Sequence, residues 1–575
     1  MKKILALIII LAFVLTGCNN ITDPGNTPGD DTSQTDKPSG NTPPTDDPTD
    51  DPTDDPTDDP TDDPTDDPTD DPTDDPTDDP TDDPTDDPTD DPTDDPADDP
   101  IECTSHEDDD DNGLCDVCRV SVIVWFDFYA INDLHGKITD GDSQPGIEEL
   151  TTYLKEKQAS NANSVILSSG DMWQGSAESN LTYGAFITEW MNDLDVVSMT
   201  LGNHEFDWSD EYIYSNLELA EFPFLAINIY DKNTNEQMDY CESSIIIDKG
   251  EFQIGIIGAI GDCYSSISGE VVGDVYFKVG DELTELVKQE SEKLRAEGAD
   301  FIIYSLHDGY GRSSSSKKNV NDSEIASYYD VELSDGYVDL VFEAHTHQSY
   351  ILSDSEGVIH LQGGGENKGL SHARVSINSA NGNTKVAKAE IVKSSYYSTF
   401  EADGIVATLL AKYKDMIDAA YEFLGTNAKY RDDSDVEQLV ADLYYQYGVE
   451  TWGDEYDIFL GGGFLRTRNP YNLYAGDVTY SDVYSLLPFD NEIVLCSIKG
   501  RDLLEKFINT SNSDYYISYG DNDTSGINAN ATYYIITDTY TSTYAYNNLT
   551  EVARYESGVY ARDFVAEFIK AGGWS

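Results

Sequence analysis

Five short apolar runs, each of strand length and each giving way to Asp, Asn or His, most restrict what this chain can fold into. Val122–Ile131 leads into Asn132-Asp133-Leu134-His135-Gly136, and Val165–Ser169 into Gly170-Asp171. Val196–Leu201 leads into Gly202-Asn203-His204, Phe301–Leu306 into His307-Asp308-Gly309, and Val338–Phe342 reaches Ala344-His345-Thr346-His347. Longer amphipathic stretches separate the runs, which is the pattern of an α/β domain. Ligands of α/β sheets bind beyond the carboxyl ends of the strands. The five exits are therefore expected on one rim. Only eight histidines occur in the chain, and five of them sit in these exits, a concentration that random placement does not give.

The exits supply nitrogen and oxygen donors and no sulfur, which favours Mn, Zn or Fe over a sulfur-rich structural site. Asp133, His135, Asp171, Asn203, His307, His345 and His347 suffice for two divalent ions that share one carboxylate. Two metals about 3.5–4 Å apart activate water and clamp the oxygens of an in-line phosphoryl displacement. The series DxH, GD, GNHEFD, H and HxH, in this order, resembles the calcineurin-like metallophosphoesterase domain. Gly170-Asp171-Met172-Trp173-Gln174-Gly175-Ser176 and Gly202-Asn203-His204-Glu205-Phe206-Asp207 resemble, more narrowly, the 5′-nucleotidase family. The resemblance implies a four-layer αββα sandwich. It assigns Asp133, His135, Asp171 and His347 to one metal, and bridging Asp171 with Asn203, His307 and His345 to the second. His204 is then the catalytic histidine, poised by Asp207, acting on the phosphoryl group or the leaving oxygen. One departure is visible: Ala344 stands where the family has Gly before the final histidine pair, and its methyl is expected to crowd the turn. His360 and His372 lie outside the motifs and read as structural.

Gly369–Val392 should complete the sheet of this domain. Ile405–Phe423 carries apolar residues at helical spacing and reads as a connecting helix. The remainder resembles the family's C-terminal, α/β substrate-binding domain, chiefly in Gly476-Asp477-Val478-Thr479, Asp482-Val483 and Pro488-Phe489-Asp490-Asn491. The resemblance makes Phe489 and Tyr540 the two faces of an aromatic clamp on a nucleobase. It makes Gly461–Arg466 a glycine-rich loop whose Arg466 contacts the anionic part of the substrate. Stacking tolerates any base, and a guanidinium suits a phosphate. Here too the chain departs from the family: Gly461 replaces an Asn, and a Tyr- and Asn-rich stretch around Tyr544–Asn548 replaces an expected GGDG segment.

The start of the chain is built differently. Lys2 and Lys3 precede the apolar run Ile4–Leu15, too short to span a bilayer, which ends in Leu15-Thr16-Gly17-Cys18. This resembles a bacterial lipoprotein signal with lipid attached at Cys18, and no later run reads as a membrane helix. Thr45–Pro100 is fourteen four-residue units of the Thr-Asp-Asp-Pro type. Proline every fourth residue forbids helix and favours extended polyproline II, and paired Asp residues repel. The segment reads as a disordered, hydrated stalk. It contributes 28 Asp to a net charge of −80, and the chain stays strongly acidic without it. Such a field argues against nucleic-acid polymers as partners, whereas small phosphate esters can bind where metal cations supply local positive charge. Between stalk and catalytic region, Cys103-x-x-His106 and Cys115-x-x-Cys118 carry four donors at spacings that suit tetrahedral zinc. Asp108-x-Asp110-x-Asn112-Gly113 copies the first half of a calcium loop, but Arg119 falls where the bidentate Glu belongs. A structural zinc or calcium, or a spacer with a local disulfide, are the alternatives. Cys241, Cys263 and Cys496 read as buried thiols.

The expected layout is a signal peptide (1–18), stalk (19–101), Cys/His/Asp module (102–119), metallophosphoesterase domain (120–398), connecting helix (399–424) and C-terminal domain (425–575). The expected function is that of a lipid-anchored, extracytoplasmic phosphohydrolase with two divalent metals, releasing phosphate and nucleoside from 5′-nucleotides. Nucleotide sugars and cyclic nucleotides are further substrates the family implies. The alternatives are a general metallophosphoesterase without base recognition and an inactive surface-binding protein.

Overall fold

Strand β1 (Ile123–Ile131) shows how the main domain is layered. Side chains alternate across a strand. Phe126, Phe128 and Ala130 enter one buried cluster, while Tyr129 and Ile131 enter another on the opposite face. A strand apolar on both sides must lie between two packed layers. The computed structural model describes residues 103, 105–138, 146–267, 272–310, 336–465, 467, 472–510, 515–546, 549–555 and 558–574. Cys18, the segment 19–101 and Arg466 lie outside the described residues.

One six-stranded sheet contains β1, β2 (Ser164–Ser168), β3 (Met199–Thr200), β4 (Phe224–Leu225), β13 (Gly369–Asn378) and β14 (Thr384–Lys393), in the order β14-β13-β1-β2-β3-β4. The run from β1 to β4 is parallel, and the β13–β14 hairpin closes its edge antiparallel. The second sheet contains β6 (Ser244–Lys249), β7 (Phe252–Ile260), β9 (Phe301–His307), β10 (Leu340–Glu343), β11 (Ser349–Ser353) and β12 (Ile359–Gly363), ordered β11-β12-β10-β9-β7-β6. Short strands β5 (Ile229–Asp231) and β8 (Val275–Phe277) pair separately. Phe126, Phe128, Val375 and Ile377 of the first sheet meet Ile254, Ile256, Phe301 and Phe342 of the second in one buried core. Helices Ile147–Ser160 and Ala185–Asp193 cover the outer face of the first sheet, and helix Asp281–Glu297 that of the second. The expected four-layer αββα sandwich results.

The two histidines read as structural are so. His360 Nδ1 meets Glu343 at 3.0 Å, and His372 bridges Asp127 and Glu390 at 2.9 and 2.8 Å while stacking on Tyr129. The three thiols expected to be buried, Cys241, Cys263 and Cys496, are buried and free. Among the described residues no helix is long and apolar enough to cross a membrane.

The helix expected over 405–423 is interrupted. Helix Ile405–Lys412 stops at Tyr413, whose hydroxyl is held by Glu189 at 2.6 Å, and only short turns Lys414–Ile417 and Asp418–Tyr421 follow. Phe423 already belongs to strand β15 (Phe423–Asn427), which pairs with β17 (Gly476–Thr479). Long-range pairing overrides the local helical pattern. Beyond it, β16 (Ile458–Phe464), β18 (Ile493–Lys499), β19 (Tyr515–Ser518), β20 (Thr532–Asp538) and β21 (Thr550–Arg554) form a sheet ordered β19-β16-β20-β18-β21. Helices Asp433–Trp452 and Ala561–Lys570 pack on it through Val440, Tyr444, Phe564 and Ile569. The predicted glycine-rich loop is instead the end of β16. A side chain at Gly461 would meet the Tyr445 backbone at 2.2 Å, and one at Gly462 the Tyr516 carbonyl at 2.1 Å. These glycines let a helix and a neighbouring strand approach, which explains why the family's Asn has no room at 461.

Candidate metal centre

All five predicted strand exits open on one rim, and the side chains they carry converge. His135 Nε2 lies 3.0 Å from His347 Nε2 and 3.9 Å from Asp171 Oδ2. His307 Nε2 lies 3.3 Å from Asp171 Oδ2 and 3.3 Å from Asn203 Oδ1. His347 Nε2 is 3.7 Å from Asp133 Oδ1, and the His307 and His345 rings are 5.4 Å apart. Asp133, His135, Asp171, Asn203 and His307 are buried, whereas His345 and His347 are half-buried at the mouth.

The strand exits need unusual backbone. Asp133, His135, Asp171, His345 and His347 all have left-handed φ, between 48° and 65°. Such conformations cost of order 1–3 kcal/mol each in non-glycine residues, and functional sites are where proteins hold them. The glycines of the motifs have a steric role. A Cβ at Gly202 would stand 2.3 Å from Asp171 Oδ1, and one at Gly170 would stand 2.7 Å from His307 Nδ1. Ala344 does not crowd its turn. It is fully buried, its amide donates to Asp308 O at 2.9 Å, and its backbone stays out of the left-handed region.

The donor set fits divalent cations. His135 Nδ1 donates to Gln174 O at 3.0 Å and His307 Nδ1 to Ser169 O at 2.8 Å. A ring N–H fixed on a carbonyl directs the Nε2 lone pair toward the centre, as in metal-ligating histidines. The electrostatics point the same way. Burial and the neighbouring Asp171 push Asp133 up to about 7, against the pull of His307. Burial also acts to raise Asp171, but His307, His204 and His135 outweigh it and hold its carboxyl well below the usual range. His307 is pushed up to about 10, because the charge of Asp171 overcomes the opposing effect of burial. Two buried carboxylates this close demand positive charge beside them. That charge is what divalent cations supply.

At the mouth, His204 Nδ1 pairs with Asp207 Oδ2 at 2.7 Å, as the motif implied, and the His204 amide donates to Asp171 Oδ1 at 2.9 Å. Phe489 lies with its ring centroid 6.1 Å from that of His204. Tyr540 sits after β20 against Phe464, 5.9 Å away, so the two predicted clamp rings rest on different neighbours.

Three contributors escaped the sequence reading. Glu205 is fully buried and its carboxylate accepts from the amides of Gly202, Asp171, Met172 and Trp173, at 2.7–3.3 Å. It ties the GD turn to the GNH turn, and its place within GNHEFD was the available signal. Replacing Glu205 by Gln should weaken metal affinity about 10–100-fold, the usual cost of losing a group that orients ligands. A manganese titration of phosphate release reads this directly, and unchanged half-saturation would remove Glu205 from that role. Asn132 spans Asp133 Oδ2 at 2.6 Å and Gly364 O at 2.7 Å. Cys263 follows β7, a sixth strand exit, and groups with His307 and His345. Its thiol donates to His307 O at 3.6 Å, and burial pushes its pKa well up.

Comparison with known proteins fits this geometry. Residues 126–349 match the family described as calcineurin-like phosphoesterase, and 412–534 match the 5′-nucleotidase C-terminal domain. Residues 126–349 thus form a calcineurin-like phosphoesterase domain, and residues 412–534 a 5′-nucleotidase C-terminal domain. Residues 33–78 and 67–102 match a repeat described as PT disordered repeat. The chain is 28% identical over 410 residues to Endonuclease YhcR of Bacillus subtilis, covering 65% of this chain and 32% of that protein. It is 26% identical over 426 residues to Protein UshA of Yersinia enterocolitica, covering 66% of this chain and 74% of that protein. The chain thus spans about a third of the first relative and about three-quarters of the second. The crystal structure of a 5′-nucleotidase precursor from Thermus thermophilus shares the fold, with TM-score 0.60 and 18% identity, over 78% of this chain and 97% of that one. The family is one of metal-dependent phosphoester hydrolases, and the converging donors of the phosphoesterase domain are where its divalent metal would bind.

Proposed function

We propose that this chain is a 5′-nucleotidase that uses two divalent cations to release phosphate and nucleoside from nucleotides, displayed outside the cell by a lipid on Cys18 and an acidic stalk. The observation that carries the base-recognising part of this reading is Phe489. It brings an aromatic ring of the C-terminal domain to 6.1 Å from the His204 ring at the mouth of the metal centre. Asp133, His135, Asp171 and His347 would hold one cation, and Asp171, Asn203, His307 and His345 the other. Bound there, the cations supply Lewis acidity and an activated water. The chain's own residues do the rest. Asp207 holds the His204 ring by Nδ1, which turns Nε2 toward the phosphoryl oxygens or the leaving oxygen. Asn180 of the phosphoesterase domain reaches Pro488 O at 3.3 Å, and Tyr421 and Ser481 both donate to Glu178, at 2.6 and 3.3 Å. These contacts set the segment bearing Phe489 beside the centre.

Phosphate release by the full chain with manganese, from AMP beside a baseless sugar phosphate, tests this reading. Stacking on a base contributes roughly 1–3 kcal/mol, so AMP should be preferred by about 10–100-fold in kcat/KM, and Phe489→Ala should erase the preference. Equal rates would make the protein a general metallophosphoesterase. No release from either, nor from a phosphodiester and nucleotide-sugar panel under several divalent metals, would make it a surface-binding protein.

A further inference from the structure

The small module before β1 brings four metal-ligating side chains together, separate from the strand exits. Cys103 Sγ lies 3.6 Å from Cys115 Sγ, and Cys118 Sγ lies 3.5 Å from His106 Nδ1. These four donor atoms lie within 4.8 Å of one another. A tetrahedral zinc with ordinary Zn–S and Zn–N bonds sets its S···S edge at about 3.8 Å and its S···N edge at about 3.6 Å. Both observed edges match. A disulfide needs sulfurs about 2.0 Å apart, and all three thiols are free. We propose that Cys103, His106, Cys115 and Cys118 bind one zinc ion that folds residues 103–121 and fixes them to the phosphoesterase domain.

The neighbouring residues explain why zinc, and not calcium, occupies the module. Asp108, the first acid of the calcium-like half loop, is buried, and its carboxylate is already engaged. It accepts from the amides of Asn112 at 3.0 Å and Gly113 at 2.8 Å, and from Asn378 Nδ2 at 2.8 Å. Asp111 accepts from the same Asn378 at 3.1 Å and from Asn381 at 3.2 Å. These acids serve as docking groups on the turn between β13 and β14. The backbone continues the attachment: Val122 N donates to Gly113 O at 3.0 Å, and Ser379 N donates to Val122 O at 2.9 Å.

What the module lacks is a core. Among the described residues of 103–121, Cys115 is the one buried apolar side chain. So few buried groups do not offset the entropy of ordering such a segment. Zinc does, because its binding free energy becomes folding free energy in small metal domains. The ion therefore acts as a staple where the acidic repeat gives way to the folded chain.

The test uses the full chain, purified under reducing conditions, stripped of metal and titrated with cobalt(II). Thiolate-to-cobalt charge-transfer absorption should appear, should be lost in Cys115→Ser and Cys118→Ser, and should persist in Cys263→Ser, which removes the thiol beside the strand exits. Arg119 is exposed and is the one Lys or Arg between 103 and 121, so trypsin reports opening of the module. Zinc at about 100 times its dissociation constant should slow cleavage there about 100-fold, with no such protection in Cys118→Ser. Phosphate release by Cys118→Ser with manganese should match the parent chain. Absence of the charge-transfer band, its loss in Cys263→Ser alone, or a disulfide among Cys103, Cys115 and Cys118 in the purified chain would each overturn the proposal. None of these outcomes depends on whether the chain acts on nucleotides.

Discussion

Asp171→Asn should reduce phosphate release at least about 1,000-fold, equivalent to about 4 kcal/mol of transition-state stabilisation, and should leave less divalent metal per chain than the parent holds. The reason lies in how many groups depend on this one carboxylate. It is fully buried, faces His307 at 3.3 Å and His135 at 3.9 Å, and accepts the His204 amide at 2.9 Å. Gly202 makes the room for it, since a Cβ there would come within 2.3 Å of Asp171 Oδ1. An amide of the same shape keeps one oxygen and loses the negative charge. His135 and His307 then face the centre without the charge that would attract cations, and one carboxylate oxygen is replaced by an N–H donor that would repel them. Metal analysis of the dialysed protein beside its phosphate release checks both parts. Metal retained at the parent's level with activity within tenfold of the parent would show that the centre does not depend on the Asp171 charge.

Much of this site was legible because a metal centre needs particular donor atoms, and few residues offer them. Five of eight histidines at strand exits is a signal that survives ignorance of the fold. The glycines of GD and GNH were equally visible, though their purpose required coordinates: ligand atoms pass where their side chains would be. Glu205 was visible as a member of GNHEFD, but its role was not. An acid in a polar turn looks solvated, yet this one is buried and binds four backbone amides. Backbone partners leave no trace in side-chain spacing. Nor were the left-handed conformations of Asp133, His135, Asp171, His345 and His347 foreseeable, because such φ values are expected of glycine.

The C-terminal domain was harder to read for a related reason. Its motifs depend on partners distant in sequence. Phe423 fits a helical spacing but pairs with Thr479 in a strand. Gly461–Arg466 reads as a glycine-rich loop that presents Arg466, but Gly461–Gly463 lie in β16, packed against a helix backbone and β19. Phe489, in a nearly continuous family segment, lies beside His204, whereas Tyr540, just before the stretch where the chain departs from the family, lies against Phe464. Local pattern reports local structure well. Long-range approach, which decides where a ring or a glycine ends up, is reported poorly.

His204→Asn should lower kcat about 100- to 10,000-fold, the range for losing a positioned acid or base, while bound metal stays at the parent's level. His204 is held differently from the candidate ligands. Its Nδ1 is spent on Asp207 at 2.7 Å, and its backbone amide, not its ring, contacts Asp171. It is half-buried at the mouth, beside the Phe489 ring, where a substrate would enter. Asn retains a polar group near Asp207 but has no second ring nitrogen to meet the phosphoryl or leaving oxygen. The loss should therefore fall on kcat, with KM changed little, because the group acts on charge that develops during the reaction. Substrates with better leaving groups should lose less, since they need less protonation. Equal losses for good and poor leaving groups would place His204 on the phosphoryl oxygens instead. Loss of metal along with activity would make it a ligand, and the distinction drawn here between the ring at the mouth and the donors beneath it would fail.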